Sequence, residues 1–219
     1  MSRVFITGSA DGLGLLAAEA LINEGHQVVL HARNEKRSRE ALRKLPGAEN
    51  IVTGDLGEIS EVKSVANHVN ALGTFDSIIH NAGVYNASPQ DLFMVNTIAP
   101  YLLTCLINKP KRLIYLSSDM HQGGRSKLDS FNTDLSDINY SDTKLHVFML
   151  SKAVARKWKT VYSNSVSPGW VPTKMGGKGA TDDLTKGYET QVWLSTSEDE
   201  SAKVSGQFFY HQREIKYNP

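Results

Sequence analysis

Short apolar runs alternate along the chain with longer stretches in which apolar residues recur every three or four positions. Val4-Phe5-Ile6 ends at Thr7-Gly8 and predicts a buried first strand. Residues 14–24 carry Leu15, Ala18, Leu21 and Ile22 on one helical face and stop at Gly25. Residues 27–31, built on Val28-Val29-Leu30, predict a second strand. Asn34 then caps a charged helix that ends near Pro46-Gly47. Ile51-Val52 predicts a short third strand, and residues 60–72 a helix with Val62, Val65, Ala66 and Val69 on one side. Fourth and fifth strands are expected at Ser77-Ile78-Ile79 and Leu113-Ile114-Tyr115-Leu116, with one apolar helix from about 90 to 107 between them. A helix over 143–159, a sixth strand at 162–166 and a seventh at 206–210 complete the pattern.

Strands that are apolar throughout must be covered on both faces, and their alternation with helices calls for a parallel sheet. Right-handed crossovers then give an α/β fold with a doubly wound sheet. No repeat, low-complexity linker or composition break interrupts the 219 residues, so a single domain, 1–219, is expected.

Composition narrows the function classes. Lys and Arg number 24 against 23 Asp and Glu, so no global field attracts nucleic acid or a membrane surface. The basic cluster between Arg33 and Lys44 lacks the interleaved aromatics that a nucleic-acid site needs. One cysteine, Cys105, excludes an internal disulfide and a multi-cysteine zinc site. The histidines show no H-E-x-x-H spacing, so no metal is expected. No G-x-S-x-G elbow supports a serine hydrolase built on Ser118, Asp119 and His121. Residues 92–107 include Asn96, Thr97, Pro100 and Thr104, too polar to span a bilayer. Met1-Ser2-Arg3 runs straight into the first strand without a signal-peptide pattern, and a cytoplasmic location is expected.

Candidate chemistry begins at Thr7-Gly8-Ser9-Ala10-Asp11-Gly12-Leu13-Gly14, between a strand and a helix. Glycines permit a sharp turn and let a pyrophosphate approach the backbone, while the helix start offers free N–H groups and partial positive charge. Dinucleotide binding is the expectation. The register stays open, because Gly12-x-Gly14-x-x-Ala17 also fits a G-x-G-x-x-A form. After the second strand comes His31-Ala32-Arg33-Asn34, with no acid for a ribose 2′-hydroxyl. Arg33 stands where a guanidinium could pair with a 2′-phosphate, which favours NADP over NAD. The alternative is that Arg33 joins a solvated basic helix face. Further on, Tyr140 and Lys144 fall four residues apart on one side of a helix start. A nearby cation lowers a phenol's pKa and suits it to proton exchange.

Taken in order, Thr7-Gly8-x-x-x-Gly12-x-Gly14, Asp55-Leu56, Asn81-Ala82-Gly83, Asn96, Ser117-Ser118, Tyr140-x-x-x-Lys144 and Pro168-Gly169 resemble the short-chain dehydrogenase/reductase family over essentially the whole chain. The resemblance implies a seven-stranded Rossmann fold and hydride transfer between a nicotinamide and a carbonyl or alcohol. It implies that Gly8, Gly12 and Gly14 line the pyrophosphate, with Ser9, Asp11 and Leu13 in the same cofactor-binding turn. Asp55 would contact the adenine with Leu56 beside it, and Asn81, Ala82 and Gly83 would support the ribose side. Ser118, chosen over Ser117 by alignment, would bind the substrate oxygen. Tyr140 would exchange the proton. Lys144 would hold the nicotinamide ribose and lower the Tyr140 pKa, and Asn96 would hold a relay water. Pro168, Gly169, Val171 and Thr173 would flank the nicotinamide.

Four departures from the family pattern matter. Asp11 stands where NADP-preferring members often carry a basic residue. Ser118 and Tyr140 are 22 residues apart, and the insert at 119–139 is similar to that of retinol-dehydrogenase-like members. The stretch 83–96 leaves little room for the usual helix before Asn96, which counts against a tetramer and for a monomer or dimer. The glycines after Thr173 suggest a short, mobile lid. The expected function is an NADP(H)-preferring oxidoreductase with a small-molecule carbonyl or alcohol substrate. A cofactor-binding regulatory protein of the same fold without turnover is the alternative.

Overall fold

The computed structural model describes residues 1–127 and 134–216. One sheet contains β1 (Arg3–Ile6), β2 (Gln27–Ala32), β3 (Asn50–Thr53), β4 (Ser77–His80), β5 (Arg112–Leu116), β6 (Tyr162–Ser167), β7 (Phe208–Tyr210) and β8 (Arg213–Glu214). Their spatial order is β3-β2-β1-β4-β5-β6-β7-β8. The chain winds outward from β1 to β3, returns to β4 on the other side of β1, and winds outward again. Phe5 pairs with Val29 on one side and Ile78 on the other. The first seven strands are parallel, as their apolar runs predicted. The eighth is a correction to the expected seven: β8 folds back antiparallel on β7. The reversal passes through His211 and Gln212 at φ +48° and +60°, a left-handed pair without the Asn-Gly signature that marks such turns in sequence.

The helices cover both faces. On one side, α1 (Gly12–Asn23) and α7 (Leu184–Thr196) bring Ala17, Ala18, Leu21 and Leu194 against Val4, Ile6, Val28, Leu30, Ile114 and Val166. On the other, α3 (Ile59–Ala71), α5 (Ala99–Leu106) and α6 (Tyr140–Lys157) bring Val62, Val65, Leu103 and Val147 against Phe5, Val29, Ile78 and Tyr115. The two sets of strand residues alternate in sequence, as the period of two requires. α2 (Glu35–Lys44) carries its basic side toward solvent and is capped by Asn34, whose side chain accepts from Arg37 N at 3.1 Å.

Two helices differ from expectation. The helix predicted over 90–107 is broken into α4 (Pro89–Phe93), a widened π-helical turn at Met94–Ile98, and α5. Pro100 carries no N–H, so the Asn96 carbonyl four residues earlier lacks its ordinary helical donor. α4 is five residues long, in keeping with the short stretch before Asn96. α7 was not predicted. Its buried side is Gly187, Thr190, Gln191, Val192, Leu194 and Ser195, which hides the apolar periodicity.

Candidate active site

The carboxyl ends of β1, β2, β4, β5 and β6 open into a cleft of about 380 Å³ at the point where strand order reverses. Of the residues expected to bind a cofactor, Gly8, Asp11, Gly12, Leu13, Arg33, Asp55, Leu56, Asn81, Ala82, Gly83, Tyr140, Lys144, Pro168 and Thr173 line it.

At its outer end the backbone itself forms the wall. Gly8 has φ +65°, and a Cβ there would come within 2.8 Å of Ala82 Cα. Gly12 has φ +56° and nothing within 4 Å of where a Cβ would stand. Left-handed backbone and open space together fit a phosphate group pressed onto the turn. Gly14 lies behind the turn, where a Cβ would meet Asn81 Nδ2 at 2.4 Å. Asn81 Nδ2 donates to Thr7 O at 2.9 Å, and the Thr7 hydroxyl accepts from Asn81 N and Ala82 N, each at 3.0 Å. Thr7 thus ties the loop after β4 to the glycine turn.

The Ser9 side chain turns inward: its hydroxyl donates to Ile6 O at 2.9 Å and accepts from His31 N at 2.8 Å. His31, which sequence reasoning passed over, holds the turn from behind. Gly8 N donates to its Nδ1 at 3.0 Å, and its Nε2 faces Gly54 O at 3.0 Å. That pairing requires the neutral ring with hydrogen on Nε2. Burial pushes its pKa down to about 4.

Asp11 caps α1, its Oδ1 accepting from Gly12 N at 3.0 Å, and its other oxygen gathers two cations. Arg37 Nη2 is 3.3 Å away, and Lys174 pairs with the same atom from the loop after β6. The Lys174 bond, above all, holds the Asp11 carboxyl below its usual range. Arg33 is 65% exposed in its side chain and stands 4.0 Å from Asp55 Oδ2. Asp55 uses its other oxygen to accept from Gly57 N at 2.9 Å. Arg37 and Lys174 therefore join Arg33 on the cleft wall.

At the inner end stand Tyr140 and Lys144, on the first two turns of α6. Ser118, one residue past Ser117 after β5, stands beside the Tyr140 phenol, and its hydroxyl accepts from Met120 N at 3.3 Å. The neighbouring Ser117 is buried and donates to Lys144 O at 2.9 Å, so the two serines serve different partners. Lys144 Nζ lies 5.4 Å from the Tyr140 ring centroid and donates to Leu116 O at 2.7 Å. Burial lowers its pKa to about 8. The expected lowering of the Tyr140 pKa is reversed: burial, with the Tyr85 phenol close by, pushes it up to about 12. The Lys144 ammonium is itself desolvated and turned onto a carbonyl, which leaves burial dominant.

Asn96 sits in the widened π turn. Its Oδ1 accepts from Val84 N at 2.8 Å, and its Nδ2 donates to Val84 O at 2.9 Å and to Thr143 Oγ1 at 3.1 Å. This double clamp places Tyr85, whose ring meets Tyr140 edge-on at 4.8 Å.

A family model described as short chain dehydrogenase matches residues 2–106. An uncharacterized oxidoreductase of Emericella nidulans is 45% identical over 95% of this chain and 86% of its own length. The short-chain dehydrogenase chyC of Penicillium rubens is 39% identical over 98% of this chain and 88% of its own. The chain belongs to the short-chain dehydrogenase family. Among solved structures, the blue fluorescent protein from a metagenomic library in complex with NADPH superposes with a TM-score of 0.79 at 16% identity, covering 95% of each chain. The fold is thus shared well beyond recognisable sequence likeness.

In this short-chain dehydrogenase several hydrogen bonds cross the loop after β6. Asp182 Oδ2 accepts from Trp170 N at 2.8 Å and from the Tyr210 hydroxyl at 3.2 Å, while Trp170 Nε1 donates to Gly176 O at 2.9 Å. Gly169, at φ +78°, leaves room for that carboxylate: a Cβ would come within 2.3 Å of it. Val171 is buried away from the cleft and packs on Gly187. Among the described residues, no helix is long and apolar enough to cross a membrane.

Proposed function

We propose that this oxidoreductase reduces a carbonyl compound with NADPH, using Ser118, Tyr140 and Lys144. The carrying observation is the Tyr140 phenol, with Ser118 beside it and Lys144 flanking its ring, at the inner end of a cleft whose outer end is a glycine turn. When bound, a nicotinamide dinucleotide supplies the hydride. The bare backbone at Gly8 and Gly12 holds its pyrophosphate, and Asn81, Ala82 and Gly83 border its ribose side. Pro168 and Thr173 border the nicotinamide, with Gly169 and Val171 shaping that loop.

Ser118 donates to the substrate oxygen and orients it. Tyr140 hands its phenolic proton to that oxygen as the carbonyl carbon becomes a carbinol. Lys144, with N–H groups to spare beyond Leu116 O, binds the ribose hydroxyls and offsets the phenolate charge. Asn96 keeps Val84 and Tyr85 in place, and its carbonyl, deprived of a helical donor by Pro100, holds the relay water. A phenol kept protonated at neutral pH has a proton to give to the carbonyl oxygen in the reductive direction. Arg33, Arg37 and Lys174 supply positive charge for a 2′-phosphate, which favours NADPH.

The test is consumption of NADPH and NADH against a panel of aldehydes, ketones and quinones, with alcohols run in reverse. Turnover with NADPH and at least one carbonyl is expected. Tight cofactor binding with no turnover anywhere in the panel would replace the enzyme with a binding protein of the same fold.

A further inference from the structure

The insert between β5 and α6 does more than lengthen a loop. Its segment 124–127 runs across the first two turns of α6. Gly124 lies flat on the helix start, where a Cβ would come within 2.4 Å of Ser141 O. Arg125 then directs three donors at Asp142: its backbone N reaches Oδ1 at 2.7 Å, Nε reaches Oδ1 at 3.4 Å, and Nη2 reaches Oδ2 at 3.2 Å. Lys127 Nζ stands 3.8 Å from the same carboxylate. Ser126 O receives His146 Nε2 at 2.6 Å, and His146 Nδ1 meets the hydroxyl of Thr97, next to Asn96, at 3.0 Å.

Asp142 has 0% of its side chain exposed. A carboxylate so buried is expensive unless its lone pairs are filled. Part of its task is the capping box: Asn139 N donates to Asp142 Oδ2 at 3.2 Å, and Asp142 N donates back to Asn139 Oδ1 at 3.0 Å. That box alone satisfies the helix end. The guanidinium fork is additional, and forked, charge-assisted bonds fix direction as well as energy. Tyr140 lies between the two residues of the box. Its carbonyl accepts from Thr143 Oγ1 at 2.8 Å, and that hydroxyl accepts from Asn96 Nδ2. The strap, the box and the π turn therefore close around one residue.

We infer that Arg125 and Asp142 are positioning residues, through which segment 124–127 straps the first turn of α6 and aims the Tyr140 hydroxyl at Ser118 and Lys144. The inference rests on Tyr140 being the proton donor. Displacing a reacting group by about 1 Å costs on the order of 10²-fold in rate.

The experiment compares Arg125→Ala and Arg125→Lys with the wild type as full chains. It measures kcat, NADPH dissociation constant, and the ¹⁹F resonance of 3-fluorotyrosine at position 140, assigned by its loss in Tyr140→Phe. Arg125→Ala is expected to lower kcat about 10- to 100-fold and leave cofactor affinity within twofold. Its fluorine resonance moves toward that of exposed fluorotyrosine, and Arg125→Lys recovers part of each change. An unchanged kcat, an unmoved resonance, or an equal loss of cofactor affinity would overturn the positioning role. Should Arg125→Ala not fold, Asp142→Asn keeps the shape while removing the charge Arg125 pairs with, and carries the same expectations. A wild type inert toward every carbonyl, with the resonance still moving in Arg125→Ala, would refute the activity and leave the strap standing.

Discussion

The two ends of the cleft are built on opposite plans. At the end proposed to take the nucleotide the surface is bare backbone, and residues close in sequence create it: Gly8, Gly12 and the Asp11 cap all fall within one turn. At the end proposed for catalysis the groups are side chains, and partners from distant parts of the chain hold them. Asn96 reaches Val84 and Thr143, and Arg125 reaches Asp142. The first plan leaves no room for a Cβ at Gly8 or Gly14 and holds Gly12 in left-handed backbone that disfavours one. The second depends on bonds that single substitutions remove. The ends also titrate in opposite directions. Burial makes the nucleotide end sensitive to acid through His31 and the catalytic end sensitive to alkali through Lys144.

The largest separation of the two ends is expected from Lys144→Met. It removes the charge that offsets a phenolate, and kcat should fall about 10³-fold, with a much smaller loss of NADPH affinity from the missing ribose contact, as fluorescence titration would report. In the wild type the same dependence appears as a loss of kcat as pH rises through about 8, where Lys144 gives up its proton. An alkaline limb that persists in Lys144→Met would belong to another group.

Gly14→Ala breaks the other end. Its new Cβ would press on Asn81 Nδ2 and on Gly8 O, at 2.4 and 2.7 Å. Overpacking of this kind costs about 1–3 kcal/mol, so melting temperature and NADPH affinity should both drop. An unshifted affinity would mean the turn yields without consequence.

His31 supplies the acid response. In the unfolded chain the ring titrates near 6.5, and in the fold near 4. Between those values the unfolded state takes up the proton and the folded state does not, so stability is lost as pH falls through that window and is complete above it. The span corresponds to roughly 3 kcal/mol. His31→Gln should flatten the dependence of urea midpoint on pH between 4 and 6.5; an unchanged slope would point to the other buried histidines.

The smallest effect concerns cofactor choice. Arg33→Ala should reduce the preference for NADPH over NADH by about tenfold, modest because the side chain is mostly exposed and Arg37 and Lys174 remain. Equal losses for both cofactors would remove Arg33 from phosphate reading.

The contrast between the ends also explains what could be read without coordinates. β1, the turn and α1 were legible because strand, glycines and helix are contiguous, and local sterics dictate each step. β6 was legible despite its polar residues, which are buried and paired: Ser163 donates to Ser151 O at 2.8 Å, and Asn164 to Val204 O at 2.7 Å. α7 was hidden because its inward side is small and polar, although Asp183 accepting from Thr185 N and Lys186 N is an N-cap a closer reading could have found. The π turn was hidden because Pro100 announces a break but not its shape. The candidate site was legible as a set of residue types in order. The hold of His31 on Gly8, of Lys174 on Asp11 and of Arg125 on Asp142 was not, because each is a contact between segments that only folding brings together.

The central claim is that the phenol of Tyr140 moves the proton while the glycine turn holds the cofactor, two jobs at two ends. The direct measurement is Tyr140→Phe, assayed in parallel for NADPH binding and for carbonyl-dependent NADPH consumption. Unchanged binding with consumption reduced by about 10³-fold or more is the predicted result. Consumption at the wild-type rate would contradict the account.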